Sequence, residues 1–66
     1  MSKKILIIIP VLNEVDNVLN IFFKIKKILK KNYDLLFIDD NSSDGTIEKI
    51  KLIQKKNKNV FLFIRP

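Results

Sequence analysis

The sequence predicts an α/β fold, built as one βαβαβ unit around a parallel sheet, and three observations predict it. Three short apolar runs, Ile5 to Ile9, Leu35 to Ile38 and Val60 to Ile64, lack alternating polar residues, as strands covered on both faces do. Between them, apolar residues recur at three- and four-residue steps, the period of an amphipathic helix. The first two runs begin roughly 30 residues apart, which suits a single strand, crossover helix and parallel strand.

Taken in order, Ile5 to Ile9 is aliphatic throughout, and Pro10 is expected to close it. Asn13 is the expected N-cap of the first helix, with Glu14 and Asp16 placing negative charge where the helix dipole favours it. Val15, Val18, Leu19, Phe22, Ile25, Ile28 and Leu29 form its apolar stripe. Lysines collect toward its C-terminal end, which should fall near Lys31 and Asn32. After the second strand, Leu35 to Ile38, the chain passes abruptly into Asp39-Asp-Asn-Ser-Ser-Asp44-Gly45-Thr46, rich in acids and hydroxyls and holding the chain's only glycine. Asp44, Gly45 and Thr46 offer turn and cap chemistry. Ile47, Ile50 and Ile53 give a second helix a narrow apolar stripe, with Glu48 in its first turn and Lys55 to Asn59 as its polar end. Right-handed crossovers would set the strands in the order 3-2-1 with both helices on one face. The other face is then bare, and its apolar strands call for cover by the rest of a domain, a second subunit or another protein.

Composition narrows the chemistry. At 66 residues there is room for one domain at most, and a chain of this size buries only about 60% of its unfolded surface. With 47% hydrophobic residues it is nonetheless too apolar for a disordered segment. There is no cysteine and no histidine, so disulfides, thiolate metal sites and imidazole catalysis are excluded, and any chemistry rests on carboxylates. The net charge of +6 comes from lysines on the two helices, which read as solvated faces. No aromatic is interleaved with them for base stacking, so no nucleic-acid partner is expected. The start imitates an export signal but reaches Pro10 to Glu14 without a small-residue cleavage site, and no window approaches the ~18 apolar residues of a membrane span.

The acidic turn is where chemistry would sit, because ligands of open α/β sheets bind beyond the carboxyl ends of the strands. One glycine excludes both the dinucleotide fingerprint and the P-loop. Asp40 to Gly45 mimics the opening of an EF-hand loop, but position 12 is then Lys51 rather than glutamate, and a strand enters the loop. A phosphoacceptor domain would want acids after the first strand, where Pro10-Val11-Leu12 stands. Carboxylates at strand ends can accept hydrogen bonds from base N–H groups and ribose hydroxyls. Two readings stand side by side here. Pro10 to Glu14 and Asp39 to Asp44 line one cleft, or these residues merely form turns and caps.

Ile-Ile-Ile-Pro10-Val-Leu-Asn13-Glu14, followed by Phe-Ile-Asp39-Asp40-Asn-Ser-Ser-Asp44-Gly45-Thr46, resembles the start of a family 2 glycosyltransferase. Within that family it is most similar to the dolichyl-phosphate (polyprenyl-phosphate) mannosyltransferase group, and the resemblance covers the whole chain. It implies the GT-A fold, with residues 1–66 as an incomplete N-terminal nucleotide-binding part. The implied reaction moves a sugar from a nucleotide-diphosphate donor to an acceptor such as a polyprenyl phosphate. By the same resemblance Pro10, Leu12 and Glu14 contact base and ribose, Asp40 binds the base, and Asn13 and Asp39 belong to the same nucleotide-binding set. Asp39 also helps Asp44, Gly45 and Thr46 to shape the turn. Leu12 departs from the family pattern, which often has an aromatic there to pack on the base. The family's Asp-x-Asp motif for Mg²⁺ or Mn²⁺, its acceptor region and any general base lie beyond a third strand. No residue of this chain is therefore expected to be catalytic or metal-ligating, and the chain alone should lack transferase activity. The alternative is a non-enzymatic nucleotide-binding or interaction module with a truncated GT-A core. The expected location is the cytoplasm, extending to the membrane face if the acceptor is a polyprenyl phosphate.

Overall fold

Within residues 4–66, which the computed structural model describes, five elements follow one another: β1 (Ile5–Val11), α1 (Val18–Leu29), β2 (Tyr33–Asp39), α2 (Thr46–Lys56) and β3 (Val60–Ile64). Residues 1–3, which open the leader-like start, lie outside the described residues. The strands form one parallel sheet in the order β1-β2-β3, with β2 in the middle. The α/β architecture and strand order expected from the sequence are therefore present.

Register decides which side chains face the helices. Ile7 pairs with Leu35 and Leu35 with Val60, while Ile9 pairs with Phe37 and Phe37 with Leu62. Leu35 and Phe37 are fully buried and share one core with Val18 and Phe22 of α1 and with Ile50 and Ile53 of α2. Both helices therefore lie on one face. Burying a side chain such as Phe37 contributes roughly 1.5–3 kcal/mol, so these few residues carry much of the fold's stability. The opposite face is bare: Leu6, Ile8, Phe61 and Phe63 point there and remain about half exposed, with relative accessibilities of 58, 54, 47 and 56%.

Four local expectations need correction. Pro10 does not close β1 but lies inside it, opposite Ile38, and the strand runs on to Val11. Ile5 donates its N–H to Asn32 O and Val11 O accepts from Asp40 N, so odd-numbered positions of β1 bond toward β2. Position 10 faces the open edge, where a residue without an N–H loses nothing. Asn13 is not a cap: α1 starts at Val18 after a turn in which Asn17 N and Val18 N both donate to Glu14 O, so Glu14, Val15 and Asp16 precede the helix rather than forming its first turn. The helix then ends at Leu29, earlier than expected, because Lys30 and Asn32 take positive φ values of 62° and 63°. Ile28 is 76% exposed rather than part of the stripe. At about 100° per residue it lies about 120° around the helix from the buried Phe22, outside the stripe that faces the sheet.

Candidate functional site

The C-terminal ends of β1 and β2 lead into two loops, residues 12–17 and 40–45, that are tied together by side-chain hydrogen bonds. Two relays of the same form do this. Asn13 donates its backbone N–H to Ser42 Oγ at 2.8 Å, and the Ser42 hydroxyl donates onward to Asp39 Oδ1. One residue on, Glu14 donates its N–H to Thr46 Oγ1 at 2.9 Å, and that hydroxyl donates to Asp44 Oδ1. Each relay takes an N–H that the first loop cannot satisfy within itself and passes it through a hydroxyl to a carboxylate.

Further bonds fix both loops. Ser42 N donates to Asp39 Oδ2 at 2.7 Å, Val15 N to Asp44 Oδ2 at 3.2 Å, and Thr46 N to Asp44 Oδ1 at 3.0 Å. Asn13 sits at φ 51°, in the left-handed region that asparagine tolerates, and its Oδ1 accepts from Ser43 N at 2.9 Å. Asn41 (φ 67°) and Gly45 (φ 99°) also occupy that region. At Gly45 an added Cβ would stand 3.6 Å from Val15 Cγ2, so the backbone angle rather than space favours glycine there. Asp39 and Thr46 are the two buried polar side chains of the described residues, each fully enclosed and each partnered.

The Thr46 hydroxyl holds the Asp44 carboxyl below its ordinary pKa of 3.8; desolvation opposes this, and the N–H groups of Val15 and Thr46 each add a smaller lowering. Hydrogen bonds to the charged form are the cause.

A different set of groups faces outward. Val11, Asp39 and Ile64 are registered across the sheet, and one position past each stand Leu12, Asp40 and Arg65. Leu12 is 54% exposed. Arg65 reaches Asp40 Oδ1 through both Nε and Nη2 at 2.6 Å, while its backbone N–H donates to Asp39 O at 2.7 Å. Glu14 is half-buried, with Oε1 accepting from Asn17 Nδ2 at 3.1 Å. Pro10 lies two positions before Leu12, at the open edge.

Of the residues singled out in the sequence, then, Leu12, Glu14 and Asp40 offer surface to a ligand. Asn13, Asp39, Asp44, Gly45 and Thr46 make the brace. Sequence reasoning missed Arg65, although it is the chain's only arginine and stands one residue past the third apolar run. No three carboxylates converge on a metal-sized space among the described residues. Asp39 and Asp44 are committed to the brace and Asp40 to Arg65, so this donor set does not fit Mg²⁺ or Mn²⁺, which need several free oxygens. A cavity of about 430 Å³ beside α1 meets the first loop at Glu14 and Asn17. Among the described residues, no helix is long and apolar enough to cross a membrane.

Comparison with known proteins places a family model, glycosyl transferase family 2, over residues 6–66. The searches of curated proteins and of solved structures gave no match.

Proposed function

The chain belongs to glycosyl transferase family 2, and on that footing we propose that its outward rim reads the base of a nucleotide-diphospho-sugar donor. The observation that supports this is the row formed by Leu12, Asp40 and Arg65 just past the strand ends, held in place by the two relays behind it. Both Arg65 contacts fall on Oδ1 of Asp40, which leaves Oδ2 to accept from a base N–H. Arg65 has further N–H groups to donate to a carbonyl oxygen beside it. A ring N–H next to a carbonyl is found on uracil and guanine and not on adenine or cytosine, so the rim favours UDP- and GDP-sugars. Leu12 covers the base face and Glu14 accepts from the ribose hydroxyls. Pro10 fixes the direction in which the first loop leaves the sheet, while Asn13 and Asp39 act through the brace.

Titration calorimetry of the chain with UDP, GDP, ADP and CDP, with and without Mn²⁺, tests this reading. Heats for UDP or GDP that are lost in Asp40→Ala are expected; equal heats for all four nucleotides, or none, would remove it. For the acceptor, what supports a polyprenyl phosphate is the resemblance of the turns Pro10 to Glu14 and Asp39 to Thr46 to those of the polyprenyl-phosphate mannosyltransferase group. The chain by itself is expected to bind donor without transferring sugar, so labelled product formed by these 66 residues would overturn that part. The bare apolar face of the sheet favours a second reading, an interaction module that associates through Leu6, Ile8, Phe61 and Phe63. A tight oligomer in sedimentation equilibrium, with no nucleotide heats, would select it.

A further inference from the structure

The two helices present to solvent a surface that the nucleotide site does not use. Lys24, Lys26 and Lys27 on α1 and four more lysines on α2 face one carboxylate, Glu48, on the same two helices. Lys30 and Lys31 extend the positive charge past the end of α1, and both are exposed. Between the helices runs a groove of about 320 Å³ with Phe22 and Ile53 at its floor. Phe23 and Leu52 stand on its two banks, 54 and 56% exposed, with Lys26 and Lys56 beside them. Neither exposed side chain is needed by the core, which Val18, Phe22, Ile50 and Ile53 already fill.

From this arrangement we infer that the α1–α2 layer docks on an anionic lipid bilayer, with Phe23 and Leu52 entering the headgroup boundary and the lysines lying among the lipid phosphates. Charge complementarity carries the assignment. Every cation of the layer is lysine, a point charge on a flexible stem suited to a diffuse field of headgroups. Specific protein interfaces instead enrich arginine and deplete lysine. Paired apolar side chains rising from a basic helical surface match interfacial binding, which adds buried apolar area to electrostatic attraction. The bare sheet face is apolar too but has no such charge: among the described residues Lys4 there pairs with Asp34 at 3.6 Å, and Arg65 with Asp40. The inference is independent of which nucleotide, if any, the rim binds.

Vesicle co-sedimentation with the full chain tests it, using phosphatidylcholine alone and phosphatidylcholine mixed with phosphatidylserine. Wild-type chain is expected to bind the mixed vesicles and not the neutral ones, and to be released at about 1 M salt, where the screening length falls to about 3 Å. The double variants K27E/K55E and F23S/L52S should each lose about tenfold in affinity, while F61S/F63S on the opposite face should bind as wild type. All six positions are exposed, so each variant is expected to keep its fold, which far-ultraviolet circular dichroism checks. The inference falls if wild type ignores phosphatidylserine or binds neutral vesicles equally well. It also falls if F61S/F63S is the variant that loses binding. Undiminished heparin binding by F23S/L52S, without vesicle binding by wild type, would overturn it in favour of a soluble polyanion.

Discussion

Asp39 and Asp40 are adjacent, chemically identical and used in opposite ways. Asp39 faces the helices, is fully buried, and has both oxygens engaged by Ser42. Asp40 faces the other way, is exposed, and holds Arg65 at the rim. Because successive strand residues alternate in direction, a single step along the backbone converts a carboxylate that organises loops into one that can meet a ligand. The same division separates Thr46 and Asp44, which brace, from Leu12 and Arg65, which face out. An acidic turn is therefore two structures interleaved, and a substitution should disturb one and spare the other.

The largest effect is expected at Asp39. Asp39→Ala removes a fully buried carboxylate and leaves the half-buried Ser42 N–H and hydroxyl without their acceptor, and should destabilise the chain by about 3 kcal/mol, read as a lower urea midpoint. A loss below about 0.5 kcal/mol, the range of ordinary surface changes, would break the distinction between the neighbours. Asp40→Ala should do the converse, leaving the urea midpoint almost unmoved while weakening UDP or GDP binding about thirtyfold, as the loss of a charge-assisted bond of about 2 kcal/mol implies. Thr46→Val keeps the shape but removes the hydroxyl that joins Glu14 N–H to Asp44, at a cost of about 1.5 kcal/mol. Amide exchange at Glu14 should quicken in that variant, and unchanged exchange would show that the relay does not hold the first loop.

The smallest effect concerns acid. Asp44 has a folded-state pKa below its ordinary 3.8, so its contribution is complete above that value and fades as pH falls through the lower folded one. Unfolding midpoints followed downward from pH 5 should therefore decline below about pH 4, and less steeply in Asp44→Asn. An equal slope in the two proteins would mean that Asp44 adds nothing to the pH dependence.

How much of this could be read in advance follows from the same alternation. Apolar runs and helical spacing are local signals, and they carried the type and order of the five elements and the bare face, though not the ends of β1 and α1. Pro10 was misread because its tolerance depends on β1 being an edge strand, a fact of assembly rather than of neighbours in sequence. Asn13 has the residue type and position of a cap, yet its partners Ser42 and Ser43 lie 29 and 30 residues away, beyond any local rule. Ile28 satisfies a three-step count from Ile25 but lies off the axis of the stripe. The outward reach of Arg65 to Asp40 spans 25 residues and has no spacing signature at all. Cross-loop bonding was thus the part of the site hidden from the sequence, while the acids that take part in it were visible.

Pro10 has one more consequence. The open edge of β1 is an aliphatic row beside an apolar face, a combination that invites edge-to-edge aggregation. Leu6 and Ile8 turn their backbone groups toward that edge, and a visiting strand could pair with both. At Pro10 no N–H is offered, so a growing ladder meets a missing rung one residue before the strand ends at Val11. The proline thus works as a gatekeeper, limiting how far a foreign strand can zip along the edge toward the first loop.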